Sequence, residues 1–265
     1  MQLNFSYRTT WLHQVNPSVK LSILMIIFIG LIFIHNPNMI VYIGMGTSLL
    51  YVFYTGHRWV TIGLLFAPFI LIFVTTSVAM VLFGDGETTW FRFGIIHITE
   101  ESFYRGLHLG LRSIVFGLFG LIFALTTRPV LLFYSLMQQF KLHPKYAYSF
   151  MAAIRMLPII AEEFQVLRQA LKIRGINYEK GIKGVYQRIR LYAIPLLAQS
   201  IRRAHRIAVA MEAKQFSQSE QGRTYYYPLT YSFYDLLFFV IVSGLLVCSL
   251  YLAISFPIFP VVNVR

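Results

Sequence analysis

Charge is scarce in this chain. Asp, Glu, Lys and Arg make up 12% of its 265 residues, half the ~25% of a soluble globular domain. That shortage argues against an ordinary soluble fold and for a polytopic membrane protein. Acids are scarcer than bases, 10 against 23, which leaves a formal net charge of +13. Cysteine occurs once, at Cys248 in an apolar run, which excludes a disulfide framework and a cysteine-based metal site. No G-x-x-x-x-G-K-[ST] run is present, so ATP binding through a P-loop is excluded. The seven histidines are scattered, with no H-E-x-x-H and no grouping with aspartate that suggests a metal. No Ser, His and acid constellation is visible. Glu162 and Glu163 are adjacent and therefore point apart on a helix; they read as a solvated face or as partners for Arg155, not as a catalytic dyad. The N-terminal "MQLNFSYRTTW" lacks a basic region followed by an apolar stretch, so no cleavable signal is expected. No bound cofactor and no enzymatic activity of the chain's own are expected.

Apolar residues are abundant, and they fall into stretches that approach the ~20 residues needed to cross a bilayer. Five spans are predicted: Leu21–His35, Met39–Tyr54, Val60–Phe83, Gly106–Thr127 and Leu236–Ile258. The first two are short and joined by the turn sequence "HNPN"; they reach across by snorkelling of flanking residues such as Lys20 and Arg58. The positive-inside rule orients the set. Arg8 and Lys20 place the N-terminus in the cytoplasm, His57-Arg58 falls inside, and the loop Gly84–Arg105, with Asp85, Glu87, Glu100 and Glu101, falls outside. The C-terminus then lies outside, in a multi-pass protein of the cell (inner or plasma) membrane. Three segments result: residues 1–127 with the first four spans, 128–223, and 224–265 with the last span.

The segment 128–223 holds sixteen of the 23 lysines and arginines against five acids, a net +11, and is expected in the cytoplasm. It reads as helical. Pro129–Phe140 is a short helix with Thr127 as N-cap. Tyr146–Arg174 is a long one, with Pro158 as a possible bend and Ile160, Phe164, Leu167 and Leu171 forming an amphipathic stripe. Gly175 ends it as a C′ glycine does. Tyr186–Gln215 is a second long helix, with Ile194, Leu197, Ile201, Ala204, Ala208 and Met211 on one face and Arg202, Arg203 and Arg206 mostly on another. Such a basic surface attracts anionic membrane lipids. Nucleic-acid binding finds no support, because neither aromatic interleaving nor a helix-turn-helix pattern accompanies the charge. A third reading treats the two helix ends, Ile173-Arg174-Gly175 and Ala213-Lys214-Gln215, as plugs for grooves on acidic partners; an arginine pairs bidentately there and a lysine acts as a point charge. In the fourth span, Gly106, Gly110, Ser113, Gly117, Gly120 and Ala124 recur at spacings of four and three, a seam of small residues for close helix packing within the protein or against another membrane subunit.

These residues carry a resemblance. "HQVNPSVKL" (His13–Leu21) resembles the D-P-x-x-K-L stretch of the transmembrane T components of energy-coupling factor transporters, with Asn16 in the place of Asp before Pro17 and Lys20. "ALTTRPVLL" (Ala124–Leu132) is similar to their T-T-x-P segment. "AAIRMLPIIAEEFQVLRQALKIRG" (Ala152–Gly175) is similar to their R-x-x-P-x-x-x-E-E region, through Arg155, Pro158, Glu162 and Glu163, followed by the first Ala-Arg-Gly signature. "VAMEAKQF" (Val209–Phe216) stands where the second signature is expected. The first signature keeps Arg174-Gly175 and loses Ala; the second reads Ala213-Lys214-Gln215 and loses both Arg and Gly. The resemblance implies an all-α membrane protein with an L-shaped fold, about five transmembrane helices and long amphipathic coupling helices in the cytoplasm. It also implies a non-catalytic scaffold whose signature ends dock on two ABC ATPase subunits or one fused ATPase, which bind the ATP. A small membrane-embedded S component would be the further partner, for uptake of a vitamin or related micronutrient; the opening residues resemble T components of the thiamine or hydroxymethylpyrimidine type. Two other classes of function stay open. A membrane-embedded enzyme acting on a lipid or prenyl substrate would need polar groups converging at one depth, with His108, Arg112 and Arg155 as the candidates. A plain membrane anchor for a soluble partner would need the basic face and not the helix ends.

Overall fold

Three of the long helices begin in the same way, with a side chain that caps and a proline behind it. In the computed structural model, which describes residues 8–84, 88–93, 96–176, 181–214, 216, 225 and 227–260, α1 (Pro17–Phe33), α2 (Pro37–Tyr54) and α6 (Pro144–Ile173) start at Asn16, Asn36 and His143. Asn16 accepts from the Ser18 amide at 3.2 Å, Asn36 from Asn38 at 2.9 Å and His143 from Lys145 at 3.2 Å. Each cap satisfies one orphan N–H of a first turn, and the proline carries no N–H to orphan. A short 3₁₀ turn (Trp11–His13) precedes α1. Then come α3 (Trp59–Phe83), α4 (Glu100–Thr126), α5 (Pro129–Gln139), α7 (Ile182–Ala213) and α8 (Phe233–Ser255).

The connection between α3 and α4 is more ordered than the loop expected over 84–105. Thr89–Phe93 (β1) and Ile96–Thr99 (β2) pair antiparallel, with Phe91 opposite Ile98 and Phe93 opposite Ile96. Aromatic and β-branched residues fit a pleated ribbon. The fourth helix also begins at Glu100, six residues before the predicted Gly106. Thr99 caps it through Ser102, and Glu100 and Glu101 occupy its first turn, where negative charge suits the helix dipole. At the other end Thr127 is the C-cap of α4, not the N-cap of α5.

Among the described residues α3, α4 and α8 are long and apolar enough to cross a membrane. With 17 residues α1 is shorter, about 25 Å against a hydrocarbon core of ~30 Å, and α2 has 18 residues. Lys20 does not snorkel: it lies in the first turn of α1 and is 1% exposed.

The chain divides into two compact units, residues 1–135 with 229–265, and residues 136–228. In the first, α1, α2, α4 and α8 enclose a core containing Leu24, Ile40, Ile43, Val115, Leu118 and Phe238. α3 packs along α4 where α4 carries glycine. A Cβ on Gly110 would collide with Ser77 and Phe73, one on Gly117 with Phe69, and one on Gly106 would stand 2.8 Å from the Ser77 carbonyl oxygen. At Gly120 a Cβ would meet nothing within 4 Å, Ser113 bonds back to the Leu109 carbonyl, and Ala124 is exposed. The seam thus holds α3 along part of its length.

In the second unit α6 and α7 bury few side chains. Phe164 packs on Tyr192 with ring centres 5.1 Å apart, and Gln138 Nε2 donates to the Tyr227 carbonyl at 2.8 Å, joining the start of the unit to its end. The predicted apolar stripe on α7 is uncovered: Ile194, Leu197 and Ile201 are 56–68% exposed. The face turned to α6 instead carries Tyr192, Gln199 and Arg203.

Candidate functional site: two capped helix ends

α6 and α7 end by the same closure. At the end of α6 the Arg174 amide donates to Ala170 O at 3.0 Å, Gly175 to Lys172 O at 3.1 Å and Ile176 to Leu171 O at 3.4 Å. Gly175 has φ +65°. This is a Schellman motif with Arg174 as C-cap and glycine at the left-handed position, where a Cβ would be strained. At the end of α7 the Lys214 amide donates to Ala210 O at 3.3 Å and Phe216 to Met211 O at 3.0 Å. Those are the equivalent bonds forty residues later; Gln215, between them, lies outside the described residues. The residues joined by these backbone bonds are apolar in both, Leu171 and Ile176 in one and Met211 and Phe216 in the other.

The two ends differ in what they present. Arg174 is exposed beside Ile173, which is 87% exposed. An isoleucine and an arginine together offer an apolar contact and a five-donor fork. Lys214 is exposed beside Ala213, a point charge on a small surface. Of the other motif residues of α6, Arg155, Pro158 and Glu162 are exposed, Pro158 lying inside the helix. Glu163 turns to α7. Its Oε1 accepts from Gln199 Nε2 at 2.9 Å and pairs with the Arg203 guanidinium.

In the first unit the N-terminal motif is a buried polar centre. Lys20 Nζ donates to Leu12 O at 2.7 Å, Thr126 Oγ1 at 3.0 Å and Thr126 O at 3.3 Å, with Thr127 Oγ1 at 3.4 Å. The Asn16 amide donates to Asp235 Oδ1 at 2.6 Å, and Asp235 Oδ2 accepts from the Ser232 amide at 2.8 Å. One lysine thus ties the start of α1 to the end of α4, and one aspartate ties it to the start of α8. In the preceding turn, burial and the nearby Lys20, His57 and Arg128 charges hold the His13 imidazole below its usual range. A neutral ring leaves Nδ1 free to accept from the Thr10 amide at 3.2 Å. Asp235 escaped the sequence reading, though Ser232-x-x-Asp235 has the spacing of a capping box and both halves of one are present.

His108 and Arg112 meet: Arg112 Nη2 lies 2.8 Å from His108 Nε2 and donates to Ile34 O at 2.5 Å. Ile34 is the C-cap of α1, where a cation is favourable to the negative end of the helix dipole. Arg155 belongs to the other unit. A further clamp was not foreseen. Asn38, 1% exposed, accepts from the Ile258 and Phe259 amides at 2.9 and 2.7 Å and donates to Phe259 O at 3.1 Å. Among the described residues no group of three His, Cys, Asp or Glu side chains could hold a metal ion.

The family model for CbiQ, described as "Cobalt transport protein", matches residues 8–226. Three curated relatives share the name "Energy-coupling factor transporter transmembrane protein EcfT". That of Streptococcus equi is 28% identical, over 87% of this chain and 88% of the relative. That of Listeria innocua is 27% identical, over 89% and 93%. That of Thermotoga maritima is 27% identical, over 90% and 89%.

Proposed function

The chain belongs to the CbiQ family, and we propose that it is the transmembrane T component of an energy-coupling factor ABC importer. The observation that carries the reading is the repeated helix closure. Two long helices stop at the same motif, each with an exposed cation at its C-cap. Each end docks in a groove on one of two cytoplasmic ABC ATPase subunits, or on one half of a fused ATPase. Ile173, Arg174 and Gly175 form the first contact and Ala213, Lys214 and Gln215 the second. ATP-driven motion of the ATPases passes through these ends to a small S component that carries the substrate pocket. The chain itself catalyses nothing and needs no cofactor; its partners bind the ATP.

The exposed stripe of Ile194, Leu197 and Ile201 supports a further subunit or the bilayer surface as the neighbour of α7. The protein sits in the plasma membrane with five crossings, its N-terminus and second unit in the cytoplasm and its C-terminus outside, on the charge asymmetry of its loops. The cargo is a vitamin or related micronutrient of the thiamine or hydroxymethylpyrimidine type, by the resemblance of the N-terminal residues.

The deciding experiment is co-purification. The tagged chain brings down P-loop ATPases from its own membranes, and Arg174→Ala weakens that capture about ten- to a hundredfold while the protein stays inserted, the loss expected of one desolvated charge-assisted contact. Full capture and full uptake by Arg174→Ala would reduce this helix end to a solvated terminus.

A further inference from the structure

Glu163 stands eleven residues before Arg174, and Arg203 stands eleven before Lys214. Eleven residues make three helical turns, about 16 Å, and return to the same face within about 20°. Glu163 and Arg203 also form an ion pair between α6 and α7. This charged contact therefore lies at equivalent points of both, in the forty-residue register that relates their capped ends: Leu171 with Met211, Arg174 with Lys214, Ile176 with Phe216. Gln199 adds a second donor to the same carboxylate oxygen at 2.9 Å, and the side chains of Glu163 and Arg203 are only 17% and 24% exposed. A charge pair so placed is screened less than a surface pair.

The chain connection fixes the directions. From Arg174 to Ile182 is eight residues, at most ~29 Å of chain, whereas α7 runs ~32 Å back from Arg203 to its start. The start of α7 must therefore lie on the Arg174 side of the pair, and Lys214 on the opposite side. The two capped ends point away from each other, about 30 Å apart.

We propose that the Glu163–Arg203 pair is the pivot that sets the separation and direction of the two capped helix ends. These two are positioning residues: they act through the helices on Arg174 and Lys214. The consequence for transport rests on the coupling reading above; the geometric role does not. With the pivot intact, a push on one end turns both helices together. With it broken, two ring contacts still join the helices, Phe164 with Tyr192 and Tyr148 with Phe216, but the charge pair no longer fixes the angle between them.

The test uses the full chain with Cys248→Ser, which removes its one cysteine, and spin labels at Lys172→Cys and Glu212→Cys. Distances are measured by pulsed electron resonance in lipid nanodiscs. One narrow distribution near 30 Å is expected, broadened by Glu163→Gln and by the single reversals Glu163→Arg and Arg203→Glu, and restored by the double reversal. Distributions unchanged by the single variants, or a double reversal no narrower than either single, overturn the pivot; the milder Glu163→Gln guards against a reversal that fails to fold. In the complex purified with its ATPases, the single reversals cut ATP hydrolysis about tenfold while capture persists, and the double reversal restores it, as for the loss of one charge-assisted contact. Broadened distances with unchanged hydrolysis leave the pivot standing and overturn the coupling reading.

Discussion

The two units solve the problem of holding helices together in opposite ways. The first closes on itself: Lys20, Asn16, Ser18 and Asp235 are buried together, each with a partner in another part of the same unit or in its own cap. The second leaves its surface open. α7 buries only Gly184, and the residues of its apolar stripe face outward. A unit that buries its polar groups internally is expected to answer mutation with lost stability. A unit that leaves apolar residues and cations uncovered is expected to answer with lost partners. Mutations in each therefore separate scaffold from interface.

The sharpest break of that contrast is Lys20→Met. The change strands the carbonyls of Leu12 and Thr126 and removes the nearby positive charge from buried Asp235. Removing one member of a buried charged network costs about 3–5 kcal/mol, so the first unit should unfold at a markedly lower temperature in detergent. Tryptophan fluorescence, with Trp11 against Tyr54 and Phe238, reports it. An unshifted midpoint would mean that the polar centre is not what holds α1, α4 and α8.

Next comes Gly117→Ala, set against Gly120→Ala on the same helix. A Cβ at 117 runs into Phe69, whereas at 120 it meets nothing within 4 Å. Overpacking should cost about 1–3 kcal/mol at 117. At 120 alanine's helix propensity should add up to ~1 kcal/mol. Thermal midpoints of opposite sign are expected; equal midpoints would mean that α3 does not seat on the seam. Neither change should alter ATPase capture.

What could be read in the sequence follows the range over which each feature is encoded. The end of α6 is local, in Arg174-Gly175, and was legible. The starts of α1, α2 and α6 are local too, a capping residue and a proline, but apolarity and periodicity placed these segments at Leu21, Met39 and Tyr146, inside the helices' true starts at Pro17, Pro37 and Pro144. The stripe of α7 was visible as a period but its partner was not. Periodicity says which residues share a face; here the face that meets α6 is the one with Gln199 and Arg203. The β1–β2 ribbon was hidden because its residues alternate over only four or five positions inside a polar stretch. The burial of Lys20 was missed because its acceptors are main-chain oxygens at Leu12 and Thr126. A backbone carbonyl leaves no mark in sequence, so a basic residue at a span's edge read as a snorkelling flank.

The two ends of the second unit offer the finest comparison and the smallest effect. Both close with the bond from C″ to C3, at 3.4 Å for Ile176 to Leu171 and 3.0 Å for Phe216 to Met211, so what each end presents is the comparison to test. Arg174 has a fork of donors and an isoleucine 87% exposed beside it; Lys214 has one ammonium and an alanine. An ammonium is strongly hydrated and fixes fewer contacts, and an exposed pair of this kind is worth about 0.2–1 kcal/mol. Lys214→Ala should therefore lower ATPase capture by no more than about fivefold, less than Arg174→Ala. Lys214→Arg should raise it, because the guanidinium adds bidentate geometry on the same closed turn. The double change Arg174→Ala with Lys214→Ala should lose capture altogether, since two tethered contacts share avidity. Titrating the purified ATPases against each variant orders the four proteins. If Lys214→Ala proves the more damaging single change, the second end carries the complex and the arginine fork is not the source of the first end's advantage.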